Sequence, residues 1–105
     1  RWMLSELHRG AHGFMPATEA VDVHVQVWDA WQAGDEAEAR RIYRHLLPLI
    51  NLILLMGLPV CKALLMRRGI FTSDAMRTPG TGKLDAGDER ELDMILEDLR
   101  PFFRA

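Results

Sequence analysis

The sequence predicts a mostly helical chain with one short strand whose sheet neighbours lie outside it. Three observations carry this reading. Apolar residues recur every three or four positions in about five segments, which glycines, prolines and capping residues set apart. A single short apolar run, Ala11 to Ala17, is bounded by glycines and a proline and reads as a brief buried strand. Nothing else in the 105 residues reads as a second strand. Main-chain groups buried without partners cost roughly 1–3 kcal/mol each, so the missing neighbours are expected in upstream sequence or another chain.

Composition narrows the function classes. The length suits one domain, and 49% hydrophobic with 27% charged residues is an ordinary globular balance. This excludes a disordered tail, a collagen-like repeat and a disulfide scaffold. Thirteen Lys and Arg against fifteen Asp and Glu give a net charge of −2, with no bulk attraction for nucleic acid or an anionic membrane. The single cysteine, Cys61, cannot form an internal disulfide and fits a reducing compartment. With no secretory leader visible, a cytoplasmic location is expected.

The elements follow in order. Met3, Leu4 and Leu7 lie at helical spacing, with Gly10 as the stop. No initiator methionine or capping residue precedes them, so the chain is expected to be a piece of a longer protein. After the strand, Thr18 is the expected N-cap of a helix from Glu19 to Ala33. Val21, Val25 and Trp28 form one stripe of it, and His24, Val27 and Trp31 a second, which predicts a helix covered on two sides.

Gly34 ends that helix, and Asp35 with Glu38 has capping-box spacing for the next. Its face is Ile42, Leu46, Leu49, Ile53 and Met56, and Pro48 is expected to kink it or begin a new segment. Gly57-Leu58-Pro59 is a break, and Val60 to Arg68 reads as a helix stopped by Gly69. A loop from Thr72 to Gly87 leads to a last helix capped by Asp85 or Asp88, with Leu92, Ile95, Leu96, Leu99 and Phe102 on one face.

Residues with chemical potential are few. Gly80-Thr81-Gly82-Lys83 resembles the end of a phosphate loop, but Arg77 stands where the first glycine belongs and Leu84 where Ser or Thr should bind the metal. A turn-rich connection is the better reading. His8, His12, His24 and His45 show no metal-ligand spacing, so no metal is expected. Cys61 lacks a catalytic partner and reads as a buried, inert thiol. The apolar run 46–61 is shorter than the ~20 residues a bilayer needs and is divided by Pro48, Gly57 and Pro59. Packing against an oligomer partner or a barrel is preferred to a membrane span. Arg40, Arg41, Arg44 and His45 read as a solvated face.

As an ordered string, these pieces resemble the C-terminal part of the dihydrodipicolinate synthase and N-acetylneuraminate lyase family. The residues that carry the resemblance begin with Gly10-Ala11-His12-Gly13-Phe14-Met15-Pro16 and Ala33-Gly34-Asp35 with Ala37, Ala39 and Arg40. Leu47-Pro48-Leu49, Pro59-Val60-Cys61-Lys62-Ala63-Leu64, Gly69 and Arg77-Thr78-Pro79 complete the string. No one motif is specific; their order and spacing over nearly the whole chain carry the likeness.

The resemblance implies a (β/α)₈ TIM barrel in the full protein, followed by three extra helices. Residues 1–34 would then hold the end of the seventh helix, the eighth strand and the eighth helix. Residues 35–105 would be the C-terminal helical extension. The implied activity is Schiff-base chemistry on pyruvate or another 2-oxo acid, with a lysine amine attacking the keto carbon and a tyrosine relaying protons. Both residues lie on earlier strands, so no catalytic residue is expected in this stretch; Lys62, Lys83 and Tyr43 do not match them. Strand ends line the active site of such barrels, which makes Phe14, Met15 and Pro16 the candidate substrate-pocket residues. Glu19 would reach the pocket mouth or serve the helix dipole.

Many synthases carry a small hydroxyl residue where Pro16 stands and an asparagine near Ala20. The difference points toward a branch acting on 2-keto-3-deoxy sugar acids, as aldolase or dehydratase. The implied partners are a 2-oxo acid, the rest of the barrel and further copies of the chain, since the family is often tetrameric. No cofactor, nucleic acid or membrane is expected. The alternative is a stand-alone, non-catalytic helical module that pairs residues 46–56 with a partner protein.

Overall fold

A 21-residue helix organises the chain. The computed structural model describes residues 3–78 and 82–105, with helices α1 (Met3–His8), α2 (Val21–Gln32), α3 (Glu36–Met56), α4 (Leu58–Arg67) and α5 (Ala86–Leu99). Short 3₁₀ turns at Thr18–Ala20 and Arg100–Phe102 precede α2 and follow α5. At 1.5 Å per residue α3 is about 32 Å long, in a molecule measuring 43 × 25 × 22 Å. Helices α2, α4 and α5 pack around it. Arg1 and Trp2 of the expected first helix lie outside the described residues. So do Pro79 of the Arg77-Thr78-Pro79 motif and Gly80 and Thr81 of the phosphate-loop look-alike.

The caps follow local chemistry. Asp35 accepts the Glu38 amide at 3.0 Å, while the Glu38 carboxylate grips Arg41 at 2.7 Å, so only half of the expected capping box forms. Asp85 and Asp88 complete a full capping box at the start of α5, with bonds of 2.9 and 3.0 Å. Gly34 and Gly69 end α2 and α4 with φ of +77° and +72°, conformations that a side chain would strain. Before α2 the expected capping by Thr18 is absent. Thr18 opens the 3₁₀ turn, and Ala20 occupies the cap position without a side-chain bond.

Pro48 corrects a second expectation. Helix α3 runs through it unbroken. A proline inside a helix costs about 3 kcal/mol or more through the lost hydrogen bond and the ring clash. Here Ile42, Leu46, Leu49 and Leu52 are buried on both sides of it, and this packing keeps both halves within one helix, so Pro48 begins no new segment.

The strand is a third correction. Residues 11–17 form no strand, and no residue among those described does. A strand exists only as part of a ladder, and the described residues offer no partner. The expected burial fails with it: the segment lies on the surface, with Met15 97% exposed.

The core joins Leu4 and Leu7 of α1, Val23 and Val27 of α2, Ile42, Leu46 and Leu49 of α3, Val60 and Leu64 of α4 and the α5 face Leu92, Ile95, Leu96 and Leu99. Helix α2 is covered on one side only. Val23 faces the core, while Val21 and Val25 are 44% and 41% exposed. The end of the long apolar run is also open, with Leu54, Leu55 and Leu58 exposed. Among the described residues, no helix is long and apolar enough to cross a membrane.

Candidate functional site

The segment Gly13 to Pro16 crosses the surface between two shallow depressions. One, of about 120 Å³, is lined by Met3, Phe14, Met15, Pro16, His24, Tyr43 and Ile50. The other, of about 240 Å³, runs along α2 and is bordered by Gly13, Phe14, Pro16, Val21, His24, Val25 and Trp28. Phe14 stands edge-on to Trp28, with ring centres 6.4 Å apart. Phe14, Met15 and Pro16 thus lie together beside an apolar face of α2.

His24 and Tyr43 join this region. The His24 Nδ1 lies 2.9 Å from the Ala20 carbonyl; since the carbonyl only accepts, Nδ1 carries the hydrogen in that bond. Tyr43 is buried on α3, and burial pushes its phenol above its usual value of 10, against the effect of a hydrogen bond from the Met3 backbone. The sequence singled out Tyr43 only as not matching the relay tyrosine. Its i−4 and i+7 relation to Ala39 and Ile50 on the apolar side of α3 was the available signal.

Two other histidines make separate structural contacts. His8 bonds Glu36 at 3.0 Å and meets Trp31 edge-on; His45 bonds the Arg41 carbonyl at 2.8 Å. His12 is exposed on the segment before Phe14. No group of three metal-ligating side chains occurs among the described residues. Lys62 donates to the Ala75 carbonyl and ties α4 to the following loop.

Glu19 turns inward rather than toward the Phe14 segment. It is buried against Cys61, and its Oε2 has no hydrogen-bond partner among the described residues. Burial first, then the charge and hydrogen bond of Glu19, push the Cys61 thiol up to about 12. Such a thiol carries almost no thiolate at neutral pH, in keeping with the inert reading.

Beside Glu19 lies the most buried ion pair of the described residues. Arg68, its side chain 4% exposed, meets both Asp22 oxygens, at 3.0 and 2.7 Å, and donates to the Glu19 carbonyl at 2.6 Å. Burial works to raise the Asp22 pKa, but the bonds from Arg68 and from the Arg104 amide outweigh it and hold the carboxyl below 3.8. Forty-six residues separate the pair, and the sequence gives no sign of it.

The sequence matches the Dihydrodipicolinate synthetase family over residues 1–99. The chain belongs to that family. No curated protein and no solved structure matches it. Membership implies a TIM barrel in the full protein and a lyase-type function in general, and it does not favour a stand-alone interaction module. Gly10, with φ of +90°, makes the turn that leads α1 into the family-like Gly10 to Pro16 segment.

Proposed function

We propose that this chain is the C-terminal part of a Schiff-base lyase acting on pyruvate or a related 2-oxo acid, by aldol cleavage, condensation or dehydration. Residues 1–34 close the barrel and residues 35–105 form its helical extension. Phe14, Met15 and Pro16 line the substrate pocket at the end of the eighth strand. Pro16, in place of a small hydroxyl residue, supports a substrate of the 2-keto-3-deoxy sugar acid class.

One observation carries the placement. The family match spans residues 1–99, and within it the Gly13 to Pro16 segment and the neighbouring face of α2 are apolar yet open to solvent. Exposed Met15, Phe14, Val21 and Val25 form a surface that upstream strands would cover, and the segment's main chain gains its ladder when they do. Leu54, Leu55 and Leu58 are a second open surface, against which the upstream barrel or a further copy in a homo-oligomer would pack. A cytoplasmic location fits the single reduced cysteine.

The chemistry belongs to residues upstream. A lysine amine adds to the keto carbon and water leaves; the resulting iminium takes up the electron pair of the carbon–carbon bond in cleavage, or of the carbon–hydrogen bond whose loss gives the enamine that attacks in condensation or expels the leaving hydroxyl in dehydration. The present residues shape the pocket and exclude water. Borohydride reduction in the presence of pyruvate tests this reading, since hydride converts the iminium to a stable amine and fixes pyruvate to the lysine. The complete protein should gain the mass of one reduced pyruvate per chain, and the 105-residue chain should gain none. Absence of the adduct in the complete protein, or its formation on Lys62 or Lys83, refutes the proposal.

A further inference from the structure

Three stretches far apart in sequence meet at Asp22. Helix α2 begins there, shortly after the Phe14 to Pro16 segment. Arg68, just beyond α4, grips both Asp22 oxygens and the Glu19 carbonyl. Residues 102–105 close over this pair. The Arg104 amide donates to Asp22 Oδ2 at 2.8 Å, and Arg68 Nη2 donates to the Ala105 carbonyl at 3.0 Å. The Arg68 guanidinium lies 3.9 Å from the centre of the Phe103 ring. Gln26, one turn along α2, donates to the Phe102 carbonyl.

The arrangement is unlike a surface ion pair. Asp22 and Arg68 are both largely buried, so each charge depends on the other for its stability. The Arg68 Nε is buried without a hydrogen-bond partner among the described residues, which leaves its two terminal nitrogens to carry the attachment. Removing one member leaves an opposite charge in the interior, directly beside the start of α2. Ala20 occupies the cap position without a side-chain bond, and the Val23 amide is taken instead by Asp22 Oδ1 at 3.1 Å. The clasp therefore replaces the missing cap as the anchor of α2.

We propose that Asp22, Arg68 and residues 102–105 form a latch that positions the pocket-lining segment: closed, it fixes the start of α2 and with it the direction in which Phe14, Met15 and Pro16 leave the helix. The pocket role of those three residues rests on the function proposed above. The latch members touch no substrate and are positioning residues.

The test uses Asp22→Asn and Phe103→Ala in the complete protein. Phe103→Ala is the milder variant; it removes the ring beneath the guanidinium without leaving a buried charge. Hydrogen exchange should accelerate about tenfold or more at amides 19–24 in both variants, with α5 unchanged. Pyruvate trapping by borohydride should need several-fold more pyruvate for half-saturation, with the maximal extent of trapping retained. A merely structural role would lower the folded fraction and the extent together, without moving half-saturation. Unchanged exchange at 19–24 overturns the latch, as does an unchanged half-saturation in a variant whose exchange has risen. Should the parent protein trap no pyruvate, the proposed function fails, and the exchange result decides the latch alone.

Discussion

Replacing Val21 and Val25 together by alanine tests whether the open face of α2 is a buried face in the complete protein. In the 105-residue chain each valine is already a little over half buried. Trimming a valine to alanine removes two carbons, worth about 1.6 kcal/mol when burial is complete and about 1 kcal/mol at the burial seen here. Alanine returns about 0.5 kcal/mol of helix propensity at each site. The pair should therefore cost the isolated chain about 1 kcal/mol. In the complete protein, with barrel strands over this face, the full transfer value applies and a cavity is added, giving about 2–3 kcal/mol. Urea denaturation of both proteins, with m-values compared, measures the two costs. An equal cost in the two contexts would refute the claim that upstream chain covers this face.

Other expectations address the local chemistry. Asp85→Ala removes the capping box of α5 and should cost about 1 kcal/mol, lowering the melting temperature of the chain by about 4–8 °C when followed by far-ultraviolet circular dichroism. The Cys61 thiol, raised from 9.0 to about 12, should resist a thiol-specific reagent at pH 8 until denaturant is added. Because its pKa is higher folded than unfolded, its contribution to stability is present below pH 9 and lost as pH rises from 9 toward 12; Cys61→Ala should flatten that loss in alkaline denaturation curves. Asp22 shifts the other way. Its stabilising effect is present above the unfolded value of 3.8 and disappears as acid takes the pH below it, so Asp22→Asn should flatten the acid limb of the stability curve.

The sequence by itself determined what interactions within a few residues control. Periodicity marked all five helices, Asp35 and the pair Asp85 and Asp88 marked two of their starts, and Gly10, Gly34 and Gly69 marked where positive φ ends three of them. The order of the Gly10 to Pro16, Gly34-Asp35 and Leu47-Pro48-Leu49 motifs also carried the family, which the match over residues 1–99 bears out. The tertiary structure decided the rest. It carried α3 through Pro48, because buried leucines on both sides outweigh one lost hydrogen bond. It buried Val27 of one expected stripe together with Val23, which neither stripe contained, and left Val21 and Val25 exposed, because the packing of α2 on α3 fixes which side of the helix turns inward. Residues 11–17 stayed out of strand form because pairing needs a second chain segment, which no local pattern can supply. Asp22 and Arg68, far apart in sequence, meet only when α2 and α4 have packed, and their attraction depends on the low-dielectric surroundings that packing creates.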